Sequence, residues 1–195
     1  STYSTHPASY RDPSGFIFYN FAVLYRQVNK SFKEDFDYFI SSGCYDEFVK
    51  KGLLISHAMV NENLTGTDEY YLTLKPEPVP FISYPYEWSF DMLKDAALLT
   101  LQLVRESVGF GIILKDATPY NIQWYKGKLI FIDSLSFEKY NELEPWIAYR
   151  QFCETFLSPL LLMHYSKQSL QQFQLAYPEG IPLALTKSLL PKKSR

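Results

Sequence analysis

The sequence predicts an α+β fold: a small strand-rich amino-terminal part over residues 14–88, then a mostly helical part over residues 89–190. Three observations predict it. Up to about residue 88 the chain carries aromatic and β-branched runs separated by turn residues, which is the pattern of short strands. From Ser89 onward apolar residues recur at helical spacing. A single hairpin pattern, residues 122–132 around Lys126-Gly127, interrupts that helical part.

Taken in order, residues 1–13 are rich in Ser, Thr, Tyr and Pro and read as an extended arm. Asp12-Pro13-Ser14-Gly15 is a turn signal. Residues 16–19 and 21–28 read as two strands with a tight connection at Asn20. Ser31 with Glu34 three residues on has capping-box spacing, and Phe32, Phe36, Phe39 and Ile40 share one helical face. A second short helix over 45–51 is closed by Gly52. Residues 53–60 and 69–74 read as strands around a polar loop, and three prolines between 75 and 80 exclude a central strand there. Residues 81–88 form an extended aromatic connector. Leu93, Ala97, Leu101, Val104 and Val108, widened by Ala96, Leu99 and Leu103, predict a helix buried in the second part. Further helices are expected over 146–165 with a break at Pro159, over 168–176 and over 181–190. Residues 191–195 read as a tail or a linker to a further domain.

Composition narrows the function classes. Of the 195 residues 47% are hydrophobic, with 16 Tyr and 15 Phe, which supplies a core and excludes a disordered chain. A formal net charge of −2 gives no global attraction to nucleic acid or to an anionic membrane. Cys44 and Cys153 show no metal spacing and read as buried thiols of a reducing compartment. His6, His57 and His164 likewise share no ligand spacing. The start of the chain has no signal-peptide pattern, and no run reaches the roughly 18 apolar residues of a membrane span, so a soluble, cytoplasmic protein is expected.

The stretch 114–137 concentrates the polar chemistry. Asp116 is followed after five residues by Asn121 and after twelve more by Asp133, with the hairpin between them. A loop, a hairpin and a second acid at a strand end bring three oxygen-bearing side chains to one mouth, a ligand set that suits Mg²⁺. Loop capping by Asp116 and Asn121, and an N-cap role for Asp133, are the alternatives.

This order of parts resembles the protein-kinase-like fold, in the branch that includes aminoglycoside and choline phosphotransferases. Lys115-Asp116-Ala117-Thr118-Pro119-Tyr120-Asn121 is similar to the D-x-x-x-x-N loop of those families, and Phe131-Ile132-Asp133 to the strand carrying their metal-binding Asp. The resemblance implies a two-lobed fold, Asp116 as catalytic base, Asn121 and Asp133 as Mg²⁺ ligands, and ATP as cofactor. It also implies that residues 81–88 are the hinge that meets adenine, with Tyr84 and Glu87 as nucleotide-binding residues. Arg26 is the nearest candidate for the phosphate-binding Lys, with Glu34 or Glu47 as its helix partner. The chain departs from the pattern at Leu114, where a His is usual, and in lacking a glycine-rich loop between its first strands.

Over nearly the whole chain, segments such as Asp12-Pro13-Ser14-Gly15, residues 81–89, Lys115-Asp116-Ala117 and residues 145–152 resemble a second group. These are the amino-terminal regions of bacterial class I S-adenosylmethionine-dependent methyltransferase proteins of the nodulation-protein type. That resemblance implies a kinase-like module serving recognition or regulation. Its partner would be a downstream methyltransferase domain, and S-adenosylmethionine would bind only there. A Mg/ATP-dependent small-molecule phosphotransferase and a structural interaction domain are the alternatives. The aromatic run Tyr84, Tyr86, Trp88, Phe90 reads as packing between the two parts, and Arg150 as a buried partner of Asp133 or Glu138.

Overall fold

The computed structural model describes residues 3–5 and 12–191, so His6 and the tail residues 192–195 lie outside it. It has the expected mixed α+β character. Strands β1 (Tyr3–Thr5), β2 (Gly15–Asn20), β3 (Val23–Asn29), β4 (His57–Val60) and β5 (Tyr70–Pro76) form one antiparallel sheet in the order β1-β2-β3-β5-β4. Two helices, α1 (Lys33–Ser41) and α2 (Cys44–Lys51), intervene between β3 and β4. The second part is built from α3 (Phe90–Val108), β6 (Ile112–Leu114), the hairpin β7 (Ile122–Tyr125) and β8 (Lys128–Phe131), and β9 (Phe137–Lys139). After these come α4 (Tyr149–Phe152), α5 (Ser158–Ser166), α6 (Phe173–Ala176) and α7 (Leu183–Leu189).

Several local expectations shift. The β2–β3 connection is one residue later than expected: Asn20 pairs with Val23, and Phe21 and Ala22 make the turn at φ 47° and 63°. Both central residues are left-handed, as a two-residue hairpin turn with the strands' twist requires, although neither is Gly or Asn. Gly15 is needed where it stands, because a Cβ there would meet the Gln27 carbonyl oxygen at 1.9 Å. The capping box at Ser31 does not form. A 3₁₀ turn, Lys30–Phe32, precedes α1, and Ser31 Oγ donates instead to the Pro13 carbonyl at 2.9 Å. The Phe32, Phe36, Phe39 face is buried as expected. The strand expected over 53–60 is split: residue 53 accepts from the Phe131 N–H and Ile55 donates to the Phe131 carbonyl, so this segment joins β8, and β4 starts afresh at His57. The connector is not fully extended, since Pro85–Glu87 is a 3₁₀ turn.

In α3 the buried stripe is Leu93, Ala96, Ala97, Leu99, Thr100, Leu103 and Ser107, whereas Leu101 and Val108 are exposed. The polar Thr100 and Ser107 are admitted because each hydroxyl donates to a carbonyl of the preceding turn. Ser89 caps the helix by accepting from the Met92 N–H at 3.1 Å. The break expected at Pro159 is a π-turn, Cys153–Leu157, just before it. Widening the turn there accommodates a ring that would clash with a carbonyl four residues earlier. The helix expected over 168–176 shrinks to α6, because Lys167 adopts the left-handed conformation and turns the chain out of α5.

The main core gathers Phe39, Phe48, Leu93, Leu103, Phe131, Phe137 and Phe156, so α1 and α2 share one core with α3 and the hairpin. Phe39 and Phe137 stack at 4.7 Å and 9°. A second cluster under the sheet, Val28, Phe32, Phe36, Leu72 and Leu74, includes Leu135 from the loop after Asp133. The sheet is thereby packed onto the polar stretch. Among the described residues no helix is long and apolar enough to cross a membrane.

Candidate functional site at the seam between sheet and hairpin

The backbone around the polar stretch is held from several sides. Lys115 donates its N–H to the Ser136 carbonyl at 2.8 Å, continuing the β6–β9 pairing toward the site. Ile132 donates to the Asn121 carbonyl at 2.8 Å, closing the loop where the hairpin begins. The Trp146 indole donates to the Leu114 carbonyl at 2.6 Å, and Leu114 itself is fully buried. These contacts bring Asp116, Asn121 and Asp133 together.

Asn121 Nδ2 donates to Asp116 Oδ2 at 3.1 Å and to Ser136 Oγ at 3.3 Å. Ser136 Oγ donates to Asp133 Oδ2 at 2.7 Å. Asp133 Oδ1 accepts from the Leu135 N–H at 2.9 Å, so the N-cap reading of this residue is realised alongside its place in the cluster. Arg26 reaches across from β3, with one terminal nitrogen 2.5 Å from Asp133 Oδ1 and the other 3.3 Å from Asp12 Oδ2. Its side chain is only 11% exposed, so it is neither a solvated surface residue nor a partner of Glu34 or Glu47. Those two carboxylates pair instead with Lys139 and Lys51.

Residues that carried no functional expectation complete the cluster. Gln151 Nε2 donates to Asp116 Oδ1 at 2.6 Å, while its Oε1 accepts from the Ala117 N–H at 2.7 Å. Arg150, expected to point inward, is 79% exposed on its side chain and pairs with Glu154. One helical residue is 100° of rotation, and that phase turns Gln151 inward instead of Arg150, onto Asp116 rather than onto Asp133 or Glu138. Ser136 had no sequence signal beyond its closeness to Asp133. Asp12 was legible only as a turn residue.

Burial holds the Asp116 carboxyl above its usual range. The hydrogen bonds from Gln151 and Asn121 oppose that shift, and the charges of Asp133 and Asp12 add to it. A carboxylate so placed is a stronger proton acceptor than a free one. His57 lies behind the cluster, with Nδ1 3.1 Å from Ser134 Oγ and its ring 4.5 Å from that of Tyr45. Burial pushes its pKa down to about 4, so it is neutral near pH 7.

Tyr84 and Glu87 do not join the cluster by any hydrogen bond or ion pair among the described residues. Glu87 Oε2 accepts from the Tyr84 N–H at 2.7 Å, and the Tyr84 ring stacks on Tyr86 at 5.4 Å. At Ser83 both backbone groups are taken by the Gln123 amide. The connector's polar groups at 83 and 84 are therefore satisfied internally.

The cluster's fit to Mg²⁺ follows from its donors. The ion needs carboxylate or carbonyl oxygens open to it in near-octahedral array. Asp133 has Oδ1 on Arg26 and the Leu135 N–H, and Oδ2 on the Ser136 hydroxyl. Asn121 turns its amide nitrogen to the cluster. No group of three or more His, Cys, Asp or Glu among the described residues is placed to hold a metal ion. As arranged, these side chains carry a guanidinium where a dication is implied, and they do not fit Mg²⁺.

No protein-family model matches the chain. It is similar to nodulation protein NoeA of Rhizobium meliloti (strain 1021), at 33% identity over 178 residues. That match covers 90% of the chain but only 37% of NoeA, so the chain corresponds to little more than a third of this bacterial relative.

Proposed function

We propose that the chain is a kinase-like module without phosphotransfer activity. It would serve recognition or regulation in a longer bacterial protein of the NoeA kind, whose other part is a methyltransferase domain using S-adenosylmethionine. One observation carries the non-catalytic reading: the Arg26 guanidinium lies on Asp133 at 2.5 Å. Phosphoryl transfer depends on a metal that bridges phosphate oxygens and neutralises developing charge. A guanidinium on that carboxylate neutralises it beforehand and repels a dication. The order of buried α3, β6, Asp116–Asn121 loop, hairpin and Asp133 supports the kinase-like part of the reading. The likeness to NoeA over 90% of the chain supports the longer-protein context.

The experiment is a thermal-shift titration with millimolar ATP and MgCl₂, run beside an assay for ADP release. No shift and no release are expected. A ligand at 100 times its dissociation constant stabilises by about 2.7 kcal/mol. A shift of that size, together with ADP release lost in Asp116→Asn, overturns the proposal in favour of a phosphotransferase. Sequencing the gene past the Arg195 codon tests the context: a strand, a glycine-rich turn and a helix are expected, and an immediate stop codon refutes it.

A further inference from the structure

The outer face of α3 carries apolar side chains that the core does not use. Its buried stripe already meets the main core, yet Leu98 is 57% exposed, Leu101 42% and Val108 40%. They share that outer face with the exposed Asp91, Lys94, Asp95 and Arg105. Apolar residues scattered singly over a surface need no explanation. Leu98 and Leu101, however, are neighbours one turn apart on one helix, and a helix that is apolar beyond its core face is ordinarily covered on both sides.

Charges along the same face have opposite signs at its two ends. Asp91 and Arg105 stand seven residues to either side of Leu98. Seven residues are 700°, within 20° of two full turns, so all three lie along one line about 20 Å long. The Asp91 side chain is 79% exposed and pairs at 2.9 Å with Lys94, itself 48% exposed, a contact worth little in water. Arg105 forms no ion pair among the described residues and acts on Glu106 only through space. A line with an anion at one end, a cation at the other and leucine at its middle is complementary to its own reverse.

We infer that the outer face of α3 is the contact surface for a second copy of this chain, the two helices packing antiparallel across a two-fold axis at Leu98. In such a contact the same patch serves both copies. Leu98 meets its own counterpart at the axis. Asp91 faces the second copy's Arg105 at each end, and Leu101 packs along the aliphatic stem of the second copy's Lys94. One helix from each copy covers less than the roughly 800 Å² per partner of a standard interface, so the dimer is weak and its population rises with concentration. The inference goes beyond the reading of the Asp133 cluster and does not rest on it.

Analytical ultracentrifugation of the full chain from about 10 µM to about 1 mM, with folding checked by circular dichroism, tests this. The average mass is expected to climb from the chain's 22.8 kDa toward twice that value. Leu98→Glu should weaken association roughly tenfold or more. Phe21→Asn, which removes an apolar ring 85% exposed at the edge of the sheet, should leave it within about twofold. Asp91→Arg and Arg105→Asp should each weaken it, and the double variant should recover most of the loss, because exchanging both ends restores the opposed charges. Each reversal also sets the wrong charge at its end of the helix, so a mere stability defect deepens in the double variant while the contact recovers. Leu101→Gln replaces Leu98→Glu where the latter does not fold. A mass of 22.8 kDa at every concentration overturns the inference and leaves the face to a different partner. A dimer untouched by Leu98→Glu, one weakened equally by Phe21→Asn, or a double reversal that recovers nothing overturns it as well.

Discussion

A double-mutant cycle on Arg26 and Asp133 tests whether the ion pair is the internal neutraliser of the cluster. At 2.5 Å and an effective dielectric of about 20, the gross attraction is about 7 kcal/mol. Both side chains are only 11% exposed, so desolvation of several kcal/mol per ion offsets most of that. The net value of the pair is therefore small, but removal of one partner is not. In Arg26→Met the Asp133 charge keeps its desolvation cost and loses its cation, which costs about 3–5 kcal/mol for a buried pair. The value falls toward the lower end here because Ser136 and Leu135 still donate to Asp133. Asp133→Asn strands Arg26 similarly, with Asp12 as partial compensation at 3.3 Å. The double variant should recover about 2 kcal/mol or more relative to the sum of the singles. Urea denaturation at pH 7 gives all four stabilities. Singles that each cost under about 0.5 kcal/mol, or that add without coupling, would show that solvent already neutralises Asp133, and the argument against a dication there would fail.

Two further outcomes follow from the same structure. His57 has a folded pKa of about 4, set by burial, against the ordinary 6.5. A lowered folded pKa means its contribution is fully present above about pH 6.5 and is lost as pH falls toward 4, by up to about 3 kcal/mol at about 1.4 kcal/mol per pKa unit. Urea midpoints of His57→Gln should fall less steeply than those of the wild type over that window, and parallel profiles would show that the ring is not desolvated. At the β2–β3 turn, Phe21→Asn with Ala22→Gly places turn-compatible residues at two left-handed positions, and Phe21 is 85% exposed and gives up little packing. A gain of about 1 kcal/mol is expected. Loss of stability would mean that the turn is not left-handed.

What the sequence determined by itself was the fold class, the existence of nearly every element and the polar stretch at its centre. Alternation and helical spacing encode which face of a segment is buried, and turn chemistry is local, so Lys126-Gly127 placed its hairpin correctly. Asp116, Asn121 and Asp133 were legible for the same reason, being bound to one loop and one hairpin. Partnership across the chain was decided only by the tertiary structure. Arg26 and Asp133 are 107 residues apart, and nothing in either neighbourhood says that a strand of the sheet will carry a guanidinium to that carboxylate. Gln151, rather than Arg150, faces Asp116 because of a helical phase set by core packing, and Asp12 meets Arg26 because the turn before β2 is pinned to the end of β3. The polar stretch alone reads as a metal site. Packing the sheet onto it puts a fixed cation there, and that charge, delivered from a distance, changes what the cluster can do.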